Sequence, residues 1–551
     1  MKSKPAALAA IFVAALVILG AGIERSKVAA AFSDPVSRIR AQDESTYANE
    51  SIAMALKGDW LTPKALGRIF LQKPPLLLWL SGLSLKLFGI SLLALRLPAL
   101  IAGSLGAILV CCWCVRAGSW GTALAGVLLL LSDPVWHTFS RLAYTDMLLA
   151  VFTMAALYCV VRDPLLAGRR NFLGFCAATA GAIMTKNAAG VVPILILVLA
   201  TACSPRGQRP SFRRIVQACL LIALFIAPWH VYQLMVHTRW FWTDYVQIGL
   251  LQLGLKRTEP STAEFPLVFY GRRLFLVDPV LCILALIATP GLWTALRRRN
   301  SMQPILLAAW LIAVSAALYA FQTRFFHYSM ILIAPLCILA ACYGPLASPR
   351  FQRWTLAALC VVFAVKSFAH DRLWGLTFGR GTPMPAASIL RSYSDLARHN
   401  ALVLVEGEDD FYAATLPLPK IHYCFTDRNG VVERLAPHYV ELGITVSADR
   451  FAELDKWEPQ FRARLREWGL DSDEPIATAI VAQSDKDVLT IVRSHPSDDF
   501  YLPVRFRRDV APLVHATHEI SQVSPDRIML FARSAPANAR PRPAAHWSDN
   551  W

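Results

Sequence analysis

The residues best suited to chemistry lie on one polar segment that follows an apolar N-terminal run. Asp43 and Glu44 place two carboxylates side by side, and Gln72-Lys73-Pro74-Pro75 adds a lysine later in the same segment. A carboxylate can take the proton of an acceptor hydroxyl, and a lysine can hold a phosphate that leaves as an anion. This combination beside a membrane predicts a transferase site that uses a lipid-linked phosphate. The alternative for the two carboxylates is a helix cap.

The composition around this segment is that of a membrane protein that crosses the bilayer many times. Hydrophobic residues make up 55% of the 551 residues, which is more than a protein surface in water allows. A helix needs about 20 apolar residues to cross a bilayer, and eleven segments of the chain are predicted to do so. They are 6–23, 94–115, 121–139, 146–161, 172–184, 188–203, 215–235, 268–293, 304–321, 328–346 and 354–369.

Two apolar segments need a separate interpretation. Pro5 to Ile23 has the flanks of a signal peptide, but it exceeds the usual apolar core of about 7–15 residues and is predicted to be an uncleaved anchor. Pro74 to Gly89 is predicted to lie in the membrane interface, with Trp79 and Lys86 at the headgroups. A crossing at that point would place the arginine-rich loops alternately on both sides of the membrane.

The charge pattern predicts the orientation of the spans. Much of the net charge of +17 lies in short arginine-rich loops at every second connection, as cytoplasmic loops require. Nucleic acid is therefore not a predicted partner. The N-terminus is predicted inside, and the candidate chemistry falls on the outer face, which is the periplasm for a bacterial inner membrane. The predicted outer segments are 24–93, 140–145, 185–187, 236–267, 322–327 and everything after 370.

The chain from Asp371 onward changes to a mixed polar composition with short strand-like runs. Strands that alternate with amphipathic segments, such as Phe451 to Trp468, predict a small α/β domain. The predicted strands are Ala401 to Glu406, Ile421 to Phe425, Ala477 to Gln483 and Val488 to Val492. The predicted domains are a transmembrane domain 1–370 with a catalytic outer loop 24–93, an extracytoplasmic α/β domain 371–534, and a disordered tail 535–551.

Several motifs follow one another along the N-terminal half of the chain. They are Asp43-Glu44-x-x-Tyr47, Gly58-Asp59-Trp60-Leu61-Thr62-Pro63, Lys73-Pro74-Pro75-Leu76-Leu77-x-Trp79-Leu80, Lys86-Leu87-Phe88-Gly89, Arg96-Leu97-Pro98, Arg141-Leu142-Ala143-x-Thr145-Asp146 and Thr185-Lys186. In order and spacing these motifs resemble those of the GT-C membrane glycosyltransferases, the family that contains protein O-mannosyltransferases and the aminoarabinose transferase that modifies lipid A. The resemblance covers residues 1 to about 235 well, the later spans loosely, and the C-terminal region hardly at all.

The resemblance implies a polytopic helical fold whose first outer loop lies on the active site. It implies transfer of a sugar from a polyprenyl-phosphate donor to an acceptor at the outer membrane face. Asp43 matches the acidic residue proposed as general base in that family, and one base suffices when the leaving group is a phosphate. Lys73 precedes the interfacial helix, where its charge would stabilise the departing phosphate. The alternative is a lysine that only reaches toward the headgroups.

Further candidates lie at the outer ends of other spans. Asp146 is predicted to orient the sugar or the acceptor, with an ion pair to Arg141 or a helix cap as the alternative. For Arg257 and His327 the alternative is an interfacial belt of aromatic and basic side chains. The candidate catalytic residues are Asp43, Glu44, Lys73 and Asp146, and the candidate substrate-binding residues are Tyr47, Gln72, Lys186, Arg257, His327 and Tyr328.

The chain departs from the family pattern at three positions. Gln72 stands where the family commonly has Glu, Asn187 stands where Gly often follows the lysine, and the Asn-x-x-Arg pattern is not clean at Arg257. The change at Gln72 removes a carboxylate from any divalent-metal site. Eleven of the 12 cysteines lie in apolar spans, where Cys packs as a small hydrophobe. No metal or other cofactor is predicted to be required, and a divalent ion stays open as the alternative.

The sequence therefore predicts an inverting transferase that uses a polyprenyl-phosphate sugar. The acceptor stays open between a lipid A-like or other envelope glycolipid and a protein hydroxyl, and the C-terminal domain is predicted to be periplasmic. Two other classes stay open. A lipid-linked sugar transporter would carry polar residues along a path at mid-membrane depth. A non-catalytic subunit would account for the changes at Gln72 and Asn187.

Overall fold

The computed structural model describes most of the chain between residues 58 and 366 and separate parts of the rest. The described residues are 5–21, 23, 44, 47–48, 50–52, 54–55, 58–65, 68–89, 92–252, 265–321, 324–348, 357–366, 402–405, 421–425, 478–481, 484–522 and 527–533. Asp43, Arg257, the segment Phe451 to Trp468 and the predicted tail 535–551 lie outside them.

Helices dominate the region predicted to lie in the membrane. They are α1 (Pro5–Gly20), α2 (Leu76–Phe88), α3 (Leu92–Ala117), α4 (Trp120–Ser132), α5 (Pro134–Phe139), α6 (Thr145–Arg162), α7 (Arg169–Lys186), α8 (Val192–Cys203), α9 (Phe212–Val236), α10 (Pro266–Val277), α11 (Pro279–Arg298), α12 (Met302–Ala320), α13 (Met330–Tyr343) and α14 (Ala357–Lys366). A π-helix covers Phe241–Gln252 and a 3₁₀ turn covers Phe326–Ser329. Strands β1 (Lys64–Ala65) and β2 (Arg68–Ile69) form an antiparallel hairpin. The described residues from 44 to 55 are also helical.

Seven described segments are long and apolar enough to cross a membrane. They are Leu93–Ala117, Thr145–Arg162, Arg169–Cys203, Arg206–Val236, Pro279–Arg298, Met302–Ala320 and Phe326–Tyr343. The helices α1, α2, α4 and α14 are apolar but shorter. The prediction of a helical protein that crosses the membrane many times is therefore confirmed. The count of eleven spans and their orientation stay predictions.

One of these segments, formed by α7 and α8, contains a reversal of the chain. Helix α7 ends before Asn187, which takes a positive φ of 31°. Gly190 lies so close to the backbone of Ala182 and Ile183 that a Cβ at this position would overlap with them. The chain therefore folds back at this point, and α8 leaves in a new direction. This agrees with the two separate spans that the sequence predicts here.

Two predicted spans are divided by aspartates that begin new helices. Asp133 divides the predicted span 121–139, and Asp278 divides the predicted span 268–293. Each side chain accepts a hydrogen bond from the backbone N–H three residues later. In both places a proline follows at the first helical position, a combination that favours a helix start. The helix is therefore interrupted within both predicted spans, at Asp133 and at Asp278.

Helix α5 and the residue after it pack closely on α3. Gly103 and Gly106 of α3 face Ser140 and Trp136, at distances where a Cβ would overlap with these side chains. The indole N–H of Trp136 also donates to the carbonyl of Gly103 at 3.3 Å. Two glycines one turn apart thus let α5 approach α3 closely. This contact positions the short connection that leads into α6.

The described residues after 400 form a six-stranded mixed sheet. Its strands are β3 (Leu402–Val405), β4 (Ile421–Phe425), β5 (Thr478–Val481), β6 (Asp499–Pro503), β7 (His518–Gln522) and β8 (Arg527–Ala532). Their order is β5-β4-β3-β6-β8-β7, with parallel pairing from β5 to β6 and antiparallel pairing beyond. Helices α15 (Asp485–Ser494) and α16 (Arg507–Val514) share an apolar core with the sheet. The predicted α/β fold of this region is confirmed.

The predicted strand Val488 to Val492 was wrong, because this segment lies inside α15. Val488 and Val492 are both buried, and their spacing of four residues is that of one helix face. Asp485 and Asp487 occupy the first turn, where acidic side chains suit the positive end of the helix dipole. The other three predicted strands coincide with β3, β4 and β5.

Candidate functional site

A buried ion pair between Asp146 and Lys186 forms the centre of the candidate site. Asp146 lies in the first turn of α6, and Lys186 is the last residue of α7. Lys186 Nζ lies 2.7 Å from Asp146 Oδ1, and the two side chains are 10% and 5% exposed. The helix dipoles favour a carboxylate at the start of α6 and an ammonium at the end of α7. Arg141, the partner considered for Asp146, contacts His137 and the carbonyl of Ala21.

The 3₁₀ turn Phe326–Ser329 supplies the other side of the Asp146 carboxylate. His327 Nε2 lies 4.0 Å from Asp146 Oδ2, and His327 is 3% exposed. The ammonium of Lys186 lies 4.5 Å from the ring centre of Tyr328, within the range of a cation–π interaction. The structure therefore brings together four residues that the sequence proposed from three separate segments.

Glu44 is held in a different ion pair. Its two oxygens accept hydrogen bonds from Arg96 at 2.9 Å and 3.2 Å, and one of them also accepts the backbone N–H of Ala143 at 2.8 Å. A bidentate arginine with an added backbone donor satisfies a buried carboxylate. Tyr47, which follows on the same helical segment, packs edge to face on Tyr144 at 6.4 Å. These contacts favour a positioning role for Glu44, because they tie the first outer loop to α3 and to the segment before α6.

The loop that carries Gln72 and Lys73 is fixed next to the central ion pair. Asn187, the residue after α7, donates from Nδ2 to the carbonyl of Gln72 at 3.2 Å. Asp244 of the π-helix accepts the backbone N–H of Leu71 at 2.5 Å. Gln72 and Lys73 are half-buried, and the loop leads directly into α2. The predicted phosphate-binding lysine therefore lies on a loop that is bonded to the end of α7.

Asn187 explains one departure from the family pattern. Its φ of 31° and ψ of −121° lie outside the left-handed helical region, in backbone geometry that glycine adopts more readily than a residue with a Cβ. Its side chain also accepts the N–H of Ala188 at 2.8 Å and donates to the carbonyl of Gly249 at 3.5 Å. An asparagine here accepts backbone geometry suited to glycine and adds hydrogen bonds to two outer segments.

Three tryptophans donate hydrogen bonds to backbone carbonyls of the loop between α1 and α2. Loop carbonyls near a membrane interface lack the partners of a helix or a sheet, so other donors must satisfy them. The indole donors and their carbonyl acceptors are Trp79 and Trp60 at 2.5 Å, Trp229 and Leu61 at 2.9 Å, and Trp240 and Ile69 at 3.0 Å. The loop around the β1–β2 hairpin is thereby attached to α2, to α9 and to the segment before the π-helix.

Glu50 is a buried acid that the sequence analysis did not select. It is fully buried, and neither carboxyl oxygen has a hydrogen-bond partner among the described residues. Burial and, to a smaller extent, the charge of Asp244 raise the pKa of Glu50 well above its ordinary value of 4.5. The available signal was its spacing of three residues from Tyr47, which places both on one face of a helix. Arg96 appeared only as part of a motif, without a role.

The described residues contain no group of three or more His, Cys, Asp or Glu side chains arranged to hold a metal ion. Asp43, the predicted general base, lies outside the described residues. The cations that the structure places in this region include Lys186 and, through the loop bonded to Asn187, Lys73. The requirement for a metal stays a prediction.

The described helices, with the Lys73 loop bonded beside the buried pair of Asp146 and Lys186, have the architecture of one class of membrane protein. The chain has the fold of the GT-C membrane glycosyltransferases. ArnT from Cupriavidus metallidurans bound to undecaprenyl phosphate matches with a TM-score of 0.62 and 18% identity, over 97% of this chain and 99% of that chain. The apo state of the same protein matches with a TM-score of 0.59 and 19% identity, over 88% and 92%.

Sequence comparisons agree with this fold. The profile of the family described as Dolichyl-phosphate-mannose-protein mannosyltransferase matches residues 72–232. The chain is 26% identical over 345 residues to undecaprenyl phosphate-alpha-4-amino-4-deoxy-L-arabinose arabinosyl transferase 1 of Sodalis glossinidius, over 59% of this chain and 60% of that protein. It is 24% identical over 317 residues to the corresponding transferase of Pectobacterium carotovorum, over 55% and 54%. The matches thus span between 54% and 60% of the length of these two relatives.

Proposed function

We propose that the chain is a glycosyltransferase that moves a sugar from a polyprenyl-phosphate donor to an envelope acceptor at the outer face of the bacterial inner membrane. The acceptor is a lipid A-like glycolipid or a protein. The observation that carries the proposal is the buried pair of Asp146 and Lys186, flanked by His327 and by the loop of Lys73. The names of the relatives and the undecaprenyl phosphate bound to ArnT support the donor class.

The proposed transfer breaks one bond and forms one bond at the anomeric carbon. The acceptor oxygen attacks from the side opposite the phosphate, so the configuration at this carbon inverts. The bond from carbon to the phosphate oxygen breaks, and polyprenyl phosphate leaves with the electron pair. Asp43 takes the proton of the acceptor as the new bond forms.

Lys73 supplies the charge that the leaving phosphate needs. It is half-buried and lies in the turn directly before α2, whose N-terminal N–H groups also face an incoming anion. A fixed cation lowers the barrier because it acts where negative charge develops during the reaction. Arg257 is proposed to assist from the outer loop before α10, on the basis of sequence alone.

The pair of Asp146 and Lys186 is proposed to orient the sugar or the acceptor. A carboxylate bonded to lysine through one oxygen still accepts hydrogen bonds at the other. The distance of 4.0 Å from Asp146 Oδ2 to His327 Nε2 exceeds a direct hydrogen bond, and a substrate hydroxyl can bridge it. Tyr328 positions Lys186 through its ring face.

The proposed reaction uses side-chain cations where other enzymes use a divalent ion. Lys73 and Lys186 supply the positive charge in this proposal, which includes no metal. The α/β domain is proposed to lie on the periplasmic side, where it would meet the acceptor. Both points follow from the sequence and from the chemistry of the site.

The test uses the full-length chain in phospholipid nanodiscs with a polyprenyl-phosphate donor labelled in its sugar. Envelope lipids and envelope proteins are supplied in separate reactions, each with and without a chelator. Transfer of the label to one extract identifies a transferase and names the class of acceptor. Asp43→Asn keeps the shape of the side chain but removes its basic oxygen, so turnover should fall about 10²–10⁴-fold. Asp163→Asn, just beyond the opposite end of α6, is the matched control.

The same protein in sealed vesicles separates the other classes. Movement of the labelled lipid across the membrane without a new bond would identify a transporter. Absence of both transfer and movement would indicate a non-catalytic subunit. Retained turnover in a folded Asp43→Asn protein would reject the general-base role alone.

A further inference from the structure

Tyr270 places a hydroxyl inside the protein where no described residue bonds it. The side chain belongs to α10 and is 5% exposed, and its hydroxyl has no hydrogen-bond partner among the described residues. A buried hydroxyl without a partner costs free energy, and native structures normally supply one. A ligand that enters the site can be that partner.

Two arginines and the central carboxylate lie within electrostatic range of this hydroxyl. Arg273, Arg324 and Asp146 are close enough to interact with Tyr270 electrostatically. Arg273 lies on α10, and its guanidinium is fixed 3.7 Å from the ring centre of Phe269, with a hydrogen bond to the Phe269 carbonyl at 3.2 Å. Arg324 lies two residues before the 3₁₀ turn, and α10 packs against that turn. The cluster is therefore built from two segments that contact each other beside Asp146.

This cluster presents the donors that an oxyanion accepts. An arginine carries several N–H groups in a fork that matches phosphate and carboxylate oxygens, and a tyrosine hydroxyl adds one more donor. Arginine is also the cation that proteins use most for planar recognition of such groups. Asp146 is already paired with Lys186 at 2.7 Å, which reduces its repulsion of an approaching anion.

The cluster of Tyr270, Arg273 and Arg324 and the Lys73 loop lie on different sides of Asp146. Asp146 Oδ1 bonds Lys186, and the Lys73 loop is attached next to it through Asn187. Asp146 Oδ2 faces His327, which lies in the turn against which α10 packs. The Lys186 side of Asp146 thus lies towards the Lys73 loop, and the His327 side lies towards the turn that packs against α10.

We propose that Tyr270 and Arg324, supported by Arg273, form a second anion subsite, separate from the donor phosphate at Lys73. The subsite takes an anionic group of the acceptor, either a phosphate monoester or a carboxylate. The inference rests on the proposed transferase function and narrows the acceptor to a molecule with an anion near its reacting oxygen. Tyr270 is then a specificity-determining residue that recognises the acceptor and takes no part in bond formation.

The test measures small-anion binding while the donor subsite is filled. The full-length chain in nanodiscs is saturated with undecaprenyl phosphate and titrated with phenyl phosphate, or in a second arm with benzoate. Wild-type protein should bind at least one probe, and the better probe names the anion. Tyr270→Phe and Arg324→Gln should each weaken that binding about ten-fold or more, the usual effect of losing a hydrogen bond to a charged group.

Two control variants match the chemistry of these changes at remote places. Tyr319→Phe alters an exposed tyrosine of α12, and Arg297→Gln alters an arginine near the end of α11. Both should bind the probes as wild-type protein does. All variants should keep the wild-type affinity for undecaprenyl phosphate.

The outcomes separate the subsite from the proposed function. The subsite is rejected if saturated wild-type protein binds neither probe, or if Tyr270→Phe binds both as well as wild-type protein. It is also rejected if Tyr270→Phe lowers the affinity for undecaprenyl phosphate, because the hydroxyl would then serve the donor. Failure of wild-type protein to bind undecaprenyl phosphate counts against the proposed function, and probe binding that depends on Tyr270 would still support an anion site.

Discussion

Two buried lysine–aspartate pairs of this protein differ in what surrounds them. Asp146 bonds Lys186 and Asp278 bonds Lys366, and in both pairs the aspartate lies at the start of a helix and the lysine at the end of another. His327 and Tyr328 lie beside the first pair, whereas the acid Asp133 and two cysteine thiols lie near the second. Cations and hydrogen-bond donors can bind an anionic substrate. An added acid would repel such a substrate, so the second pair is expected only to hold α14 against α11.

Substitution of each lysine should distinguish the pair that serves the reaction from the pair that only stabilises the fold. Lys186→Met should lower turnover of the folded protein about 10²–10³-fold, comparable to the loss of one preorganised donor. Lys366→Met should retain turnover in the folded fraction but lose about 3–5 kcal/mol of stability, because Asp278 would be left buried without its partner. Turnover and thermal unfolding are measured in the same nanodiscs. Equal loss of turnover in both folded variants would contradict the functional difference between the pairs.

Substitutions of Lys73 test whether this residue binds the phosphate of the donor. Lys73→Ala should weaken use of the donor by about 2–4 kcal/mol in kcat/KM, because the cation acts on the leaving oxygen. Lys73→Arg should recover part of this loss, since charge is kept but geometry changes. Lys86→Ala, an exposed lysine of α2, is the matched control. If only the acceptor dependence changes in Lys73→Ala, the phosphate role passes to Arg257 or His327.

Glu50 extends the comparison to an acid that lies near another acid, Asp244. The pKa of Glu50 in the folded protein is raised above 4.5, so its contribution to stability is full below that pH and is lost as the pH rises. Glu50→Gln should therefore gain stability relative to wild-type protein above this pH, by up to about 1.4 kcal/mol per pH unit. The check is thermal unfolding of both proteins from about pH 4 to about pH 8, in steps of about one pH unit. A flat difference for Glu50→Gln across this pH range would contradict the raised pKa.

The smallest expected effect concerns Asn187, which connects the central pair to the Lys73 loop. Asn187→Gly relaxes a positive φ but removes the side-chain bonds to Gln72 and Gly249. The KM for the donor should rise about two- to ten-fold, the range for one ordinary hydrogen bond. Asn300→Gly, in an exposed loop between α11 and α12, should leave KM unchanged. An unchanged KM in Asn187→Gly would show that the loop is held by Asp244 and the tryptophans alone.

The membrane fold was predictable from sequence where the signal is continuous. The long apolar runs of α3, α6 and α12 coincide with predicted spans because a bilayer demands about 20 apolar residues in each. The divisions at Asp133 and Asp278 were missed, because each depends on one capping side chain that an apolar window averages away. Val488 to Val492 was misassigned because a short apolar run fits a strand and a helix face equally well.

Most residues of the candidate site were predictable from the sequence, but the ion pairs that they form were not. The motifs identify Asp146 and Lys186 separately, yet their contact across 40 residues depends on how α6 packs on α7. Glu44 was grouped with Asp43 because they are neighbours in sequence, whereas in the structure Glu44 bonds Arg96. Tyr270 could not be selected, since a tyrosine in an apolar segment gives no local sign that its hydroxyl lacks a partner.

The indole hydrogen bonds of the first outer loop give the site an intrinsic optical probe. Trp79, Trp229 and Trp240 hold carbonyls of the loop that leads to Lys73, so any shift of that loop changes the polarity around their rings. The emission of these indoles should respond when a phosphate reaches Lys73. Occupancy of the site can therefore be followed by fluorescence in an unlabelled protein.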